Sequence, residues 1–138
     1  MNEDDAEKVA DLSTQLGYPS TPVAIATRLL DITRRSDGVL LVAELPTGRV
    51  AGWIHVRGQH LLESDPYAQI AGLVVDRDVR REGVGRSLMA AAEQWARAAG
   101  YDAVRLSTNT ARSEARPFYE ALGYALLKTQ YALRKPLG

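Results

Sequence analysis

The sequence contains no cysteine. Disulfides, thiolate nucleophiles and cysteine-ligated zinc are excluded together. Histidine is nearly absent as well. Only His55 and His60 occur, spaced i, i+5, so a structural metal centre is not expected. Charge of one sign is not in excess, because 17 Lys+Arg face 17 Asp+Glu. A dedicated nucleic-acid binder usually carries a basic surplus, so no nucleic-acid partner is expected. No apolar run approaches the length of a membrane span, and the acidic start has no signal-type apolar core. No membrane partner is therefore expected, and a cytoplasmic location follows by default. Low-complexity tracts and internal repeats are missing too. What remains is ordinary: 138 residues, 46% hydrophobic and 25% charged, enough for a single domain over residues 1–138 with its own core.

The balanced charge is unevenly placed. Glu3, Asp4, Asp5, Glu7 and Asp11 crowd the amino terminus, whereas Arg77, Arg80, Arg81 and Arg86 gather mid-chain. Lysine is confined to Lys8, Lys128 and Lys135, so most positive charge is arginine, whose planar fork suits phosphate.

Hydrophobic spacing orders the chain. Ala6, Val9, Ala10, Leu12 and Leu16 recur near a 3.6 period and predict a helix over 4–16. Thr21 followed by Pro22 reads as a cap and first helical residue, with the helix running to about Arg35. Val39–Leu45 reads as a strand. Pro46-Thr47-Gly48 turns it into an antiparallel partner over Arg49–Arg57. Gly58–Pro66 has loop character. Tyr67–Val75 is apolar on both faces and reads as a buried strand. Val84, Leu88, Ala91, Ala92 and Trp95 share one stripe of a helix from about Gly83 to Ala99, stopped by Gly100. Ala103–Ser107 follows as a strand parallel to 67–75. Ser113 reads as the cap of a helix over Glu114–Leu122, ended by Gly123, and Tyr124–Arg134 reads as a returning strand. The fold class expected is α+β, with a mixed, mostly antiparallel sheet flanked by helices.

The most informative stretch runs from Leu73 to Leu88. A buried strand enters a loop holding Arg80, Arg81, Gly83 and Gly85, and the loop opens a long helix. Glycines allow a sharp turn and close approach of a ligand. The free N–H groups of a first helical turn, with the helix dipole and flanking arginines, make an anion site suited to phosphate or pyrophosphate. Gly85-Arg86-Ser87 lacks the lysine of a P-loop, and Leu88 occupies the third glycine position of a dinucleotide fingerprint, so both of those readings fail. A tight strand–helix turn without a ligand remains the alternative on glycine spacing alone.

A second motif follows, Ala115-Arg116-Pro117-Phe118-Tyr119-Glu120-Ala121-Leu122-Gly123-Tyr124. Taken with Arg80-x-x-Gly83-x-Gly85, it resembles the GNAT acyltransferase superfamily, whose members carry R/Q-x-x-G-x-G/A at the central helix and A-x-x-F-Y-x-x-x-G-F/Y on the next helix. The resemblance covers nearly the whole chain.

This resemblance implies a twisted sheet with a V-shaped splay between its two parallel strands. It implies an acetyl-CoA-dependent N-acetyltransferase acting by direct attack of a primary amine, of a small molecule or a peptide, on the thioester. A longer acyl-CoA as donor, or a non-catalytic acetyl-CoA-binding or regulatory domain, are the alternatives. No metal is implied. Leu73, Val74 and Val75 would hold the pantetheine arm as a strand partner does, and their N–H groups would polarise the thioester carbonyl. Arg80, Arg81, Gly83, Val84, Gly85, Arg86 and Ser87 would hold the pyrophosphate. Asn109 would bond the pantetheine amide or serve as a turn residue. Tyr119 would protonate the departing thiolate.

Three departures accompany the resemblance. Many members carry a Glu as general base where this chain has Gln69; a carboxamide cannot accept that proton, and Gln69 would instead position a water or the substrate in the catalytic site. Glu63, Asp65 and His55 are the replacement candidates. Arg116 stands where relatives often have histidine. The first element reads as a helix rather than an edge strand, leaving a sheet edge that a homodimer could cover. Trp53 and His55 share one strand face and would line the acceptor cleft, with Tyr18, Tyr67 and Tyr131 as weaker candidates.

Overall fold

The computed structural model describes residues 1–80 and 82–138. Contacts divide them into two units, Met1–Ser107 and Thr108–Gly138. The first unit contains helices α1 (Ala6–Leu16), α2 (Pro22–Thr33) and α3 (Val84–Ala98), and strands β1 (Gly38–Glu44), β2 (Val50–Gln59), β3 (Tyr67–Val75) and β4 (Val104–Leu106). The second contains α4 (Ala115–Ala121). As expected, the architecture is mixed α+β with a mostly antiparallel sheet.

Local chemistry explains most boundaries. Thr21 Oγ1 accepts the Ala24 N–H at 3.1 Å, and Pro22 opens α2, where its missing donor costs nothing. Glycines follow the ends of α3 and α4 at Gly100 and Gly123. β2 runs two residues beyond the predicted Arg57, because Gly58 and Gln59 still pair with Ala68 and Tyr67.

The sheet has the order β1-β2-β3-β4. The β1–β2 and β2–β3 pairs are antiparallel, and β3–β4 is parallel. The parallel ladder is short. It joins Ala68, Gln69 and Ile70 to Val104, Arg105 and Leu106, and among the described residues β3 continues to Val75 without a β4 partner. α1 lies on one face, where Leu12, Val50 and Val74 bury together beside Leu16, Val42 and Trp53. α3 lies on the other, where β2 carries Gly52. A Cβ there would stand 3.1 Å from Leu88 Cδ1 and 3.3 Å from Val84 Cγ1, so the missing side chain is what lets the first turn of α3 sit close to the sheet. Leu12, Ile54, Val56 and Met89 are fully buried, each contributing about 1.5–3 kcal/mol by leaving water.

A polar clamp closes one end of this sheet. The Tyr101 hydroxyl, after α3, donates to Asp37 Oδ2 at 2.6 Å, and His60 Nε2 lies 2.9 Å from the same oxygen. Gly58 passes beneath, where a Cβ would overlap both Tyr101 and Asp37. The bond to Asp37 pushes the Tyr101 hydroxyl up to about 12.

Two expectations for the second unit fail. Ser113 does not cap α4; Glu114 occupies the N-cap position, without a side-chain cap bond. Tyr124–Arg134 is not a strand. An extended segment becomes a strand only when its N–H and C=O groups enter a ladder, and among the described residues this one has none. Its apolar side chains are correspondingly exposed, Leu126, Leu127, Tyr131 and Leu133 among them.

Candidate active site

The strand-to-helix passage after β3 is built around one buried carboxylate. Asp76 is 1% exposed. Its backbone N–H donates to Ala51 O at 2.8 Å, and Oδ1 accepts the Asp78 N–H at 3.1 Å, which caps the short 3-10 turn Arg77–Val79. Oδ2 accepts from Lys8 Nζ at 2.8 Å and Arg49 Nη2 at 2.6 Å. Burial opposes ionisation here. The bonds from Lys8, the Asp78 N–H and Arg49 outweigh it and hold the carboxyl well below its usual range. One residue thereby ties α1, the start of β2 and the end of β3 to the turn that leads into α3.

Gly83 is the N-cap of α3 and has φ +84°, in the left-handed region that side chains disfavour. It places no side chain over the helix end. The Ser87 N–H closes the first helical bond, to Gly83 O at 3.0 Å, which leaves the N–H groups of Val84, Gly85 and Arg86 without an intrahelical partner. No described side chain caps them. Arg80 and Arg86 are exposed beside this turn in sequence, and Arg81 lies outside the described residues. Leu73, Val74 and Val75 form the part of β3 beyond the β4 ladder. Free donors at a positive helix end, a glycine approach and an unpaired strand edge fit the phosphates and amide arm of a coenzyme A thioester.

On the α1 side of the sheet, a cavity of about 380 Å³ opens between α1, α2 and the faces of β1, β2 and β3. Trp53 and His55, both predicted, line it together with Tyr18, Leu40, Gly72 and Arg28. A Cβ on Gly72 would stand 2.8 Å from Trp53 Cη2, so the indole occupies space that only glycine leaves. Trp53 Nε1 is buried with no hydrogen-bond partner among the described residues. Burial, aided by the Arg57 charge, pushes the His55 imidazole below its ordinary value of 6.5. The other candidate bases, Glu63 and Asp65, sit exposed in the 60–66 loop and do not line the cavity. Gln69 lies on β3, level with Arg57 of β2 and Arg105 of β4, and its Nε2 donates to Ile70 O at 3.3 Å. Tyr67 is buried beneath the Arg105 guanidinium, 4.3 Å from its ring centre, which leaves it a packing role.

In the second unit, Tyr119 stands on α4 and is partly buried, its ring edge-on to Phe118 and Tyr124. Burial pushes its hydroxyl up, against a lowering by the Arg112 charge, so it stays protonated near neutral pH. Asn109 Oδ1 accepts the Ala111 N–H at 2.9 Å, the turn geometry that the sequence left open. Arg116 Nε donates to Glu120 Oε1 at 2.7 Å on the exposed helix surface. Tyr131 is almost fully exposed.

Reasoning from sequence missed Asp76 and Arg28. The Asp-x-Asp step after an apolar strand is a readable turn signal for the first. Nothing local marks Arg28, whose place at the cavity depends on how α2 packs.

The chain matches the Acetyltransferase (GNAT) family over residues 6–124. It is 35% identical over 114 residues to the aminoalkylphosphonate N-acetyltransferase of Salmonella typhimurium, covering 82% of this chain and 71% of that protein. Among solved structures, an acetyltransferase of Trypanosoma brucei superposes with a TM-score of 0.80 at 26% identity, covering 98% of this chain and 96% of the other. The aminoglycoside N-acetyltransferase AAC(6')-Iy, solved in complex with CoA, superposes with a TM-score of 0.85 at 21% identity, covering 98% and 91%. Among the described residues, no helix is long and apolar enough to cross a membrane.

Proposed function

This chain belongs to the GNAT acetyltransferase family and is an N-acetyltransferase, and from that premise we propose that it moves the acetyl group of acetyl-CoA to a small primary amine held in the cavity beside His55. The observation that carries the reading is the uncapped first turn of α3 behind Gly83, next to the strand edge Leu73–Val75. The whole chain, residues 1–138, acts as one functional domain in this reading, in the cytoplasm.

Acetyl-CoA supplies an activated acyl group. The protein's tasks are to hold it, to free the amine of a proton and to return one to the leaving sulfur. The free N–H groups of Val84, Gly85 and Arg86, with the Ser87 hydroxyl and the side chains of Arg80, Arg81 and Arg86, bind the phosphates. The edge of Leu73–Val75 takes the amide arm and polarises the carbonyl. Only a neutral amine attacks, and amines are mostly protonated near pH 7. Gln69 cannot take that proton. His55 can, because burial keeps its imidazole neutral and it lines the cavity. As the C–N bond forms and the C–S bond breaks, the amine proton passes to His55 and the thiolate takes up a proton; Tyr119 is the acid proposed for that step, on the strength of its Phe118-Tyr119 motif alone.

Incubation with acetyl-CoA and an amine panel is expected to release coenzyme A thiol only when an acceptor is present, with longer acyl donors compared alongside. Coenzyme A release that does not depend on an acceptor amine would overturn the amine-transfer reading.

Two predictions arise here. Gly83→Val forces a β-branched residue into the left-handed region and should weaken coenzyme A binding by on the order of tenfold in calorimetry. Undiminished affinity would refute the anion site. The rate kcat/KM should fall as pH drops through the His55 pKa, below 6.5, because imidazolium cannot accept the amine proton. His55→Gln should lower kcat/KM and abolish that limb. A limb that persists in the variant assigns the base elsewhere.

A further inference from the structure

The charges around the cavity point to one class of acceptor. Among the described residues that line it there is no Asp and no Glu. Its ionisable side chains are Arg28, His55 and Tyr18. Arg28 is exposed at the end of a bond to Ser20 Oγ, 3.3 Å long, and forms no salt bridge with any described residue. The neighbouring face repeats the pattern. Directly opposed residues of paired strands share a face, and Arg57, Gln69 and Arg105 form one row across β2, β3 and β4. Register also places Arg57 two residues from His55 on the same side of β2. No described carboxylate bonds to Arg57 or Arg105, and Arg105 spends its guanidinium on the Tyr67 ring. The rest of the cavity wall is largely apolar, supplied by Val9, Leu16, Ile25, Leu29, Ile32 and Leu40. In the same wall, Trp53 Nε1 is a donor without an acceptor among the described residues.

A polyamine or an aminosugar with several ammonium groups needs carboxylates to replace the water it leaves. Among the described residues this cavity offers none, and Arg28 in its wall repels a second positive charge. An anionic group suits it, because each arginine donates a fork that matches a carboxylate or a phosphonate. We propose that the acceptor is a monoamine with an apolar body and one compact anionic group, the anion held by Arg28 or by the Arg57–Gln69–Arg105 row while the amine faces His55. This inference rests on the proposed acetyl transfer, and deepens it by naming the charge that the acceptor carries besides its amine.

Matched amines separate the outcomes. The probes are para-(aminomethyl)benzoate, benzylamine and para-xylylenediamine, alike in ring and amine and differing in an anion, nothing or a second cation. The pair 3-aminopropylphosphonate and 1,3-diaminopropane repeats the comparison without a ring. Binding is read by calorimetry on the wild-type protein with coenzyme A present, and acetylation is read separately. The anionic members are expected to bind about tenfold or more tightly than their dicationic counterparts, the size of a charge-assisted bond. Arg28→Gln and Arg57→Gln, assayed singly and together, are expected to erase that preference in at least one of the three proteins. Equal affinities, a reversed order, no binding by any probe, or a preference intact in the double variant would overturn the inference. Anion-selective binding without acetylation would uphold the acceptor class and overturn the transfer reading. Acetylation of the dications alone would do the reverse.

Discussion

Tyr119→Phe is expected to lower kcat by on the order of 100-fold while leaving coenzyme A affinity little changed. The substitution removes one oxygen and keeps the ring that packs against Phe118 and Tyr124. Burial holds the hydroxyl in its protonated form, which is the form a general acid needs. A thiolate leaving without a proton is not prohibited, since thiols are themselves moderately acidic, so a residual rate is expected. Steady-state kinetics with calorimetric binding provide the check. Loss of affinity at unchanged kcat would reassign Tyr119 to binding.

The second large effect concerns stability. Asp76→Ala deletes the carboxylate that accepts from Lys8, Arg49 and the Asp78 N–H. Breaking a buried ion pair typically costs about 3–5 kcal/mol. Lys8 and Arg49 keep part of their surface in water and are resolvated when the anion is removed, so a loss of roughly 3 kcal/mol is expected. In a chain of this length that lowers Tm by about 10 °C. The same group makes stability depend on pH. Its folded pKa is depressed, so its contribution is complete above the unfolded value of about 3.9 and is lost as pH falls from there through the folded value. Denaturant titrations of wild type and variant between neutral and acidic pH should converge. Parallel curves would remove Asp76 from the acid response. Because Asp76 also shapes the turn before α3, the variant should bind coenzyme A more weakly even where it remains folded.

Much of the fold was legible because local rules and tertiary packing agree. Thr21-Pro22 starts a helix whatever surrounds it, and the stripe through Leu88, Ala92 and Trp95 has only one way to bury itself. The hairpin around Pro46–Gly48 and the buried strand Tyr67–Val75 follow from period and turn chemistry. The boundaries that moved did so where partners decide. β2 lengthened because Ala68 and Tyr67 stand opposite Gly58 and Gln59. The 124–134 segment carries strand-forming residues, but a strand is a property of two chains side by side.

The candidate site divides along the same line. The anion turn could be read because glycine, helix start and arginine lie within a few consecutive residues. Tyr119 was suggested by a contiguous motif, and its role remains a proposal. The anion turn depends on backbone conformation, which neighbouring residues dictate. The acceptor side could be read only in part. Trp53 and His55 alternate on one strand and were accessible by period, whereas Arg28 reaches the cavity through the packing of α2, and the row Arg57–Gln69–Arg105 exists only through the register of three strands. Absence of cysteine and contiguous motifs thus pointed to the family this chain belongs to and to the coenzyme A thioester proposed as its donor. Net charge zero said nothing about the acceptor, since recognition depends on which charges share a wall, and only the tertiary structure decided that Arg28 lines the cavity and that no described carboxylate does.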